Sequence, residues 1–219
     1  MKLFPLTPAR CRVLTKAELF SDITFGTASA VHVSAGTYDL RFTTEDCPGT
    51  GTVFTTPALA VGQRYLVVAA GELIPEGQPD DPAGSDFTVI PVTEEGLDYE
   101  GVNSYLKVVH AGVAPTVDVG VVNGAGILVG SPAIQDLEFG DAVVWDVGSA
   151  ALNFGIAAAD TTNSLLDYSL SLTEKPKAFV VVAGDVSPEG SEQALDDLYI
   201  VEGDRSSLTA WEAVALEPN

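Results

Sequence analysis

The chain is poor in the residue types that most often announce chemistry. Of 219 residues, two are cysteine, two histidine, two tryptophan and one methionine. Cys11 and Cys47 have no C-x-x-C spacing and no histidine nearby, which excludes the usual zinc patterns. They read as a disulfide in an oxidising compartment or as two unrelated thiols. His32 and His110 leave little choice for a Ser-His-Asp arrangement, and no G-x-S-x-G elbow exists. Basic residues are scarce too, with 10 Lys and Arg against 31 Asp and Glu and a net charge of -21. Such a surface repels phosphate backbones and anionic lipid heads, which argues against nucleic acid and membrane-surface partners. Long apolar runs are also missing. Tyr65 to Gly71 and Ala178 to Gly184 are strand-length, well short of the ~18 to 20 residues of a spanning helix, so no transmembrane segment is expected.

What remains is the composition of a folded protein. The hydrophobic fraction is 46%, too high for a disordered acidic chain. The length allows one large domain or two of about 100 residues, either able to bury a core unaided. Charge is unevenly placed: Lys2, Arg10, Arg12 and Lys16 all precede the first acid. This basic start lacks the apolar stretch of a signal peptide, being broken by Pro5, Pro8, Arg10 and Arg12. Arg10 also stands where a lipoprotein-type Cys11 would need a small residue. Residues 1–19 are therefore expected to be a basic leader, with no export signal legible.

Short apolar or alternating runs, rich in Val, Tyr and Phe, recur along the chain. They are Ala30–Val33, Tyr38–Phe42, Tyr65–Ala70, Phe87–Val92, Tyr105–His110, Val117–Val122, Ala142–Val147, Leu152–Ile156, Tyr168–Leu172, Phe179–Ala183 and Leu198–Val201. Gly, Pro, Asn and Asp clusters separate them at the short spacing of an antiparallel sandwich or barrel. Thr7-Pro8 offers a helix start before Ala9–Phe20, and Ser191–Asp197 a short helical turn.

An internal repeat organises these strands. Phe20–Phe42 aligns without gaps on Ile134–Ile156 at an offset of 114. Leu59–Gly77 aligns on Leu172–Gly190 at an offset of 113, and Asp86–Ile90 then falls on Asp197–Val201. Two homologous all-β domains are thus expected: a first repeat over 20–96, a linker over 97–103, a second repeat over 104–203, and a C-terminal segment 204–219 that adds a strand. The copies are unequal. The second opens with two strands around Ala114-Pro115 and the Asn123-Gly124 turn signal, for which the first copy has no counterpart. A sandwich without its first strands exposes backbone edges and half a core. Three explanations are open: a fragment or mis-set start, which is the favoured one; substitution by the basic segment; or a strand supplied from elsewhere, with Leu208–Leu216 as a donor.

The stretch Val108-Val109-His110-Ala111-Gly112-Val113-Ala114-Pro115-Thr116-Val117-Asp118-Val119 resembles the opening strand pair of a bacterial envelope family, domain of unknown function forty-three ninety-seven. Phe25-Gly26 and Ala35-Gly36-Thr37-Tyr38-Asp39-Leu40 fit that family's later turn and hairpin features in the first copy. Phe139-Gly140 fits in the second, where Ser149–Phe154 departs from the hairpin pattern. The resemblance covers residues 20 to 203. It implies tandem immunoglobulin-like β-sandwiches, secreted or surface-attached, with a protein or glycan of the cell surface as partner. It brings no catalytic, cofactor or ligand residues, and His110, Ala111, Pro115 and Asp118 enter as structural motif positions.

Read chemically, His110 is either a metal ligand or general base, or a buried imidazole satisfied by a turn carbonyl. Asp118, amid Val117 and Val119, either faces solvent or accepts N–H groups from the adjoining turn. Gly124, Gly126 and Gly130 superficially suggest a nucleotide loop but lack its Lys-Ser/Thr ending. Calcium is the sharper alternative. Asp80, Asp81 and Asp86 share one loop, and Glu189, Glu192, Asp196 and Asp197 its repeat equivalent, hard oxygen ligands suited to Ca²⁺ but without EF-hand spacing. The expectation is a non-enzymatic extracytoplasmic structural, adhesive or ligand-presenting module. A calcium-dependent or carbohydrate-binding adhesion domain comes second, and a glycosidase-type enzyme third.

Overall fold

The computed structural model describes residue 20 and residues 23–42, 52–71, 87–97, 103–148, 152–170, 177–184, 197–202 and 212–216. Every regular element among them is a strand: β1 (Asp39–Phe42), β2 (Thr52–Thr55), β3 (Tyr65–Ala70), β4 (Thr88–Thr93), β5 (Ser104–His110), β6 (Val117–Val121), β7 (Ile134–Leu137), β8 (Ala142–Gly148), β9 (Leu152–Ala158), β10 (Ser164–Leu170), β11 (Lys177–Ala183), β12 (Asp197–Glu202) and β13 (Glu212–Leu216). The helix expected over 9–20 lies outside the described residues except for Phe20. The turn expected over 191–197 does too, save Asp197, which opens β12. Among the described residues no helix is long and apolar enough to cross a membrane.

The second half is a sandwich of two sheets. One has the order β10-β9-β6-β7 and the other β13-β12-β11-β5-β8. All neighbours are antiparallel except β5 and β11, which run parallel from Lys177↔Tyr105 to Val182↔His110. The side chains between the sheets include Leu106, Val108, Val117, Val119, Phe154, Ile156, Tyr168, Val180 and Val182, all buried. Phe154 sits at the centre, edge-on to Trp145 at 6.3 Å and tilted against Tyr168 at 5.8 Å. Each such large side chain contributes about 1.5–3 kcal/mol by leaving water. An immunoglobulin sandwich places strands A, B, E and D in one sheet and C, F and G in the other. Lettered A to H from β5 to β12, this one pairs C-B-E-F against D-A-G-H. The sandwich is as expected, whereas the strand order in this half is not the immunoglobulin one. The first strand here lies beside the seventh at the middle of a sheet, a choice made by long-range pairing.

In the first half β1 pairs with β2, and β3 with β4. The repeat is visible down to single bonds. Asp39 faces Thr55 across β1–β2, and Asn153 faces Ser169 across β9–β10, each pair displaced by 114. In both pairs the hydroxyl donates to the opposing side chain, at 2.7 Å from Thr55 to Asp39 and 2.8 Å from Ser169 to Asn153. The turns at 24–27 and 138–141 also correspond. Thr27 N donates to Thr24 O, and Asp141 N to Glu138 O. Gly26 and Gly140 both take the left-handed conformation there, with φ of 73° and 92°. Register departs from the sequence alignment at one strand. Val67 faces Pro91 while Val180 faces Ile200, so β4 matches β12 at an offset of 109 rather than 111. A shift of two residues keeps every side chain on its original face.

Ala30–Val33, expected as a strand, is not one, and residues 29–35 are exposed. Its repeat partner β8 is an edge strand whose neighbour is β5, and among the described residues the first half has no β5 equivalent. Leu208–Leu216 does not supply it, since β13 pairs with β12. The sequence pattern also passed over β2 and β7, each only four residues long.

The halves meet through corresponding surfaces. Leu66 and Val68 on β3 pack in one cluster with Phe179 and Val181 on β11, their partners at an offset of 113. Ala28 and Ala142, partners at 114, join the same cluster. This contact buries the outer face of the β5–β11 pair and explains why both strands read as unbroken apolar runs. Lys107 of β5 is buried in it, its Nζ donating to Thr93 O at 2.8 Å and Glu95 O at 2.9 Å. Burial lowers its pKa, partly opposed by the charge of Glu95. Arg64 meets Glu94, with its Nε donating at 2.7 Å. The expected linker begins inside this contact: Leu97 is buried, and a Cβ on Gly96 would stand 2.9 Å from Val144 Cγ2.

Candidate functional site

The His110 to Asp118 segment connects β5 to β6 and is buried at both ends, with Pro115 exposed at its middle. His110 is 0% exposed. Its Nε2 lies 3.1 Å from Pro115 O, so Nε2 carries the proton and donates. Its backbone N–H donates to Asp141 O and its carbonyl accepts from Gly140 N. Phe139 meets the ring edge-on at 6.2 Å. Burial lowers the imidazole pKa, with the Pro115 hydrogen bond and the Asp141 charge opposing. A neutral ring enclosed in this way ties the end of β5 to the turn beyond it. Ala111 continues the tie through its N–H to Val182 O.

Asp118 is 6% exposed, and its Oδ1 accepts the backbone N–H of Asp136 at 2.9 Å. The donor belongs to β7, not to the adjoining turn. It lies beside the register shift between β6 and β7, where Asp136 adopts φ of 53°. The carboxylate satisfies a backbone group that the bulge takes out of the ladder. His110, Pro115 and Asp118 thus hold backbone in place.

Of the calcium candidates, Asp80, Asp81, Asp86, Glu189, Glu192 and Asp196 lie outside the described residues, and Asp197 is described only as the first residue of β12. Cys11 and Cys47 lie outside them as well. Among the described residues no group of three metal-ligating side chains converges.

The three glycines lead to the candidate site. Asn123 starts a loop by accepting the N–H groups of Ala125 and Ile127 on its Oδ1, at 2.9 and 3.2 Å. Gly126, at φ of 67°, makes the left-handed step that closes the loop. The Asn-Gly signal therefore marked the turn correctly, while the special conformation falls two residues later. The loop docks on the β9–β10 connection. Ser164 donates to Gly126 O from both its N–H, at 2.9 Å, and its hydroxyl, at 2.6 Å. Ile127 bridges Asn163. Between them lies an open depression of about 530 Å³ lined by Gly124, Ala125, Gly126, Asn163, Ser164 and Asp167. Ile127, Val129 and Leu165, near the lining residues in sequence, are exposed apolar side chains, the last on the bulge of β10. The Asn163, Ser164 and Asp167 side chains of the depression can hold a hydrogen-bonding ligand. The sequence reading did not single out Asn163, Ser164 and Asp167. The only signal was the polar cluster Thr161-Thr162-Asn163 between two apolar runs.

No protein-family description, curated protein or solved structure matches this chain.

Proposed function

We propose that this protein is a non-enzymatic structural, adhesive or ligand-presenting module acting outside the cytoplasm. It would consist of two related β units, as the resemblance of the Val108–Val119 segment implies, the second a two-sheet sandwich with its own strand order. One observation carries the reading: the depression between the Asn123–Gly126 loop, Asn163, Ser164 at the start of β10, and Asp167 further along it. Loops held by a sandwich are where such folds carry recognition. Supporting it, the most motif-like titratable side chains, His110 and Asp118, are engaged with backbone rather than directed at a cleft. Asn163, Ser164 and Asp167 offer the hydrogen-bonding groups that a carbohydrate hydroxyl would use, so a glycan is the first ligand class to test.

The experiment is a glycan array and a pull-down on bacterial cell-wall glycan, with the native chain beside Asp167→Ala and Leu165→Asp. Capture by the native protein that both substitutions abolish supports the reading. Capture indifferent to both would place recognition elsewhere, and glycan cleavage would replace a binding module with an enzyme. Thermal melts with millimolar calcium and with chelator test the calcium alternative, for which an unchanged midpoint is the negative result.

A further inference from the structure

We propose that Asn123 is a site of spontaneous deamidation: the Asn123–Gly126 loop holds its side-chain amide ready for attack by the backbone nitrogen of Gly124. The product, aspartate or isoaspartate at position 123, rebuilds one wall of the depression.

The reaction needs an electrophilic carbon, a nucleophilic nitrogen within reach and a way out for ammonia. The loop meets each need with a separate feature. Oδ1 of Asn123 accepts the N–H of Ala125 at 2.9 Å and that of Ile127 at 3.2 Å. Both donors draw electron density from Cγ, and both are already aimed at Oδ1 when it becomes an oxyanion. The nucleophile belongs to the residue type that lets a backbone nitrogen be approached most closely. A Cβ built on Gly124 would meet nothing within 4 Å among the described residues, so water can reach the nitrogen and take its proton. The loop's own bonds use the N–H groups of Ala125, Gly126 and Ile127 and pass over that of Gly124. Asn123 and Gly124 are both exposed, and ammonia leaves directly into solvent.

Asn163 is the contrast within the same site. It is exposed too, but the nitrogen that would attack its side chain, Ser164 N, donates to Gly126 O at 2.9 Å. Asn153 is followed by Phe154, a bulky residue buried in the core.

The step balances without a cofactor or a change of oxidation state. Gly124 N gives its proton to water and its electron pair forms a bond to Asn123 Cγ. The Cγ–Nδ2 bond then breaks, and Nδ2 takes up a proton and leaves as ammonia. A water molecule opens the resulting cyclic imide at either carbonyl. One opening gives aspartate, which keeps an acceptor for Ala125 and Ile127 and adds a negative charge. The other gives isoaspartate, which inserts the side-chain methylene into the backbone just before Gly124, Ala125 and Gly126, half of the residues lining the depression. The inference concerns the loop itself and holds whatever the depression binds.

The test incubates the full-length chain at mildly alkaline pH, folded in buffer and denatured in guanidinium chloride. Peptide mapping by mass spectrometry and isoaspartyl methyltransferase labelling follow each asparagine. In the folded chain, conversion at Asn123 is expected to outrun that at Asn163 by about tenfold or more, the two donors on Oδ1 being preorganised there. For the same reason it is expected to be faster in the folded chain than in the denatured one. Gly124→Ala, which adds a Cβ beside the nucleophile, is expected to slow it about tenfold or more. In the isoaspartate product the amides of Ser164 and Leu128, which tie the loop to Gly126 O and Thr162 O, are expected to exchange faster. Conversion slower in the folded chain than in the denatured one overturns the proposal, because the bonds to Oδ1 then lock the side chain instead of activating it. Equal conversion at Asn163, or a rate indifferent to Gly124→Ala, overturns the assignment of electrophile and nucleophile. Unchanged exchange at Ser164 and Leu128 overturns the rebuilding of the wall.

Discussion

Gly155 on β9 is the position where one methyl group tests the packing of the second sandwich most directly. A Cβ built there would lie 2.5 Å from Val122 Cγ1, 3.0 Å from Ser164 Cβ and 3.1 Å from Leu166 O. Carbon atoms in contact prefer about 3.5–4.0 Å, so the Val122 contact alone is short by about 1 Å. Val122 can respond only by leaving a stiff β-branched rotamer. Leu166 O cannot retreat without disturbing the β9–β10 ladder, where Leu166 faces Ile156. Overpacking of this kind costs about 1–3 kcal/mol, so Gly155→Ala is expected to lower the unfolding free energy by that amount. Gly124 supplies the control. A Cβ there meets nothing within 4 Å, and Gly→Ala at an unstrained position is neutral or stabilising by about 0.4–1 kcal/mol through the unfolded chain. Urea melts of the three proteins, compared at constant m, read both effects. A Gly155→Ala protein as stable as the native one, within about 0.5 kcal/mol, would refute the approach of Val122 and Leu166 to β9.

His110 makes stability depend on pH in a defined direction. Its folded pKa lies below the ordinary value, so the unfolded chain takes up the proton first as pH falls. The contribution is complete above about pH 6.5 and is lost below it, with a slope of at most about 1.4 kcal/mol per pH unit. Urea melts between pH 7.5 and 5 should show that slope flattened in His110→Gln, and identical slopes would contradict a buried neutral ring. Lys107→Met removes two charge-assisted bonds, to Thr93 O at the end of β4 and to Glu95 O two residues beyond it; a loss of about 1.5–3 kcal/mol is expected, with faster exchange of the β3–β4 amides. Asp118→Leu leaves the Asp136 N–H unpaired in a buried site and should cost about 1–3 kcal/mol. Asp118→Asn keeps an acceptor and should cost less, a difference readable from denaturant midpoints.

Much of the strand inventory was legible because it is written locally. Alternation and β-branched content at Tyr65–Ala70 or Phe179–Ala183 need no partner to be recognised. The turns at Gly26 and Gly140 were legible because the repeat shows the same residues twice. Ala30–Val33 shows the limit, since its composition suits a strand but a ladder needs a neighbour, and among the described residues none lies beside it. The candidate site was barely legible. Asn163, Ser164 and Asp167 are ordinary turn and strand residues until the Asn123 loop docks on them.

The sequence by itself therefore determined the all-β class, the two related halves and the motif that holds the β5–β6 connection, since each follows from short-range pattern or self-comparison. Tertiary structure decided the neighbours. It set β5 beside β11, buried Lys107 against the other half and docked the Asn123 loop on Ser164. The reason is physical: a strand's periodicity specifies which face is apolar, whereas pairing and coverage depend on residues a hundred positions away.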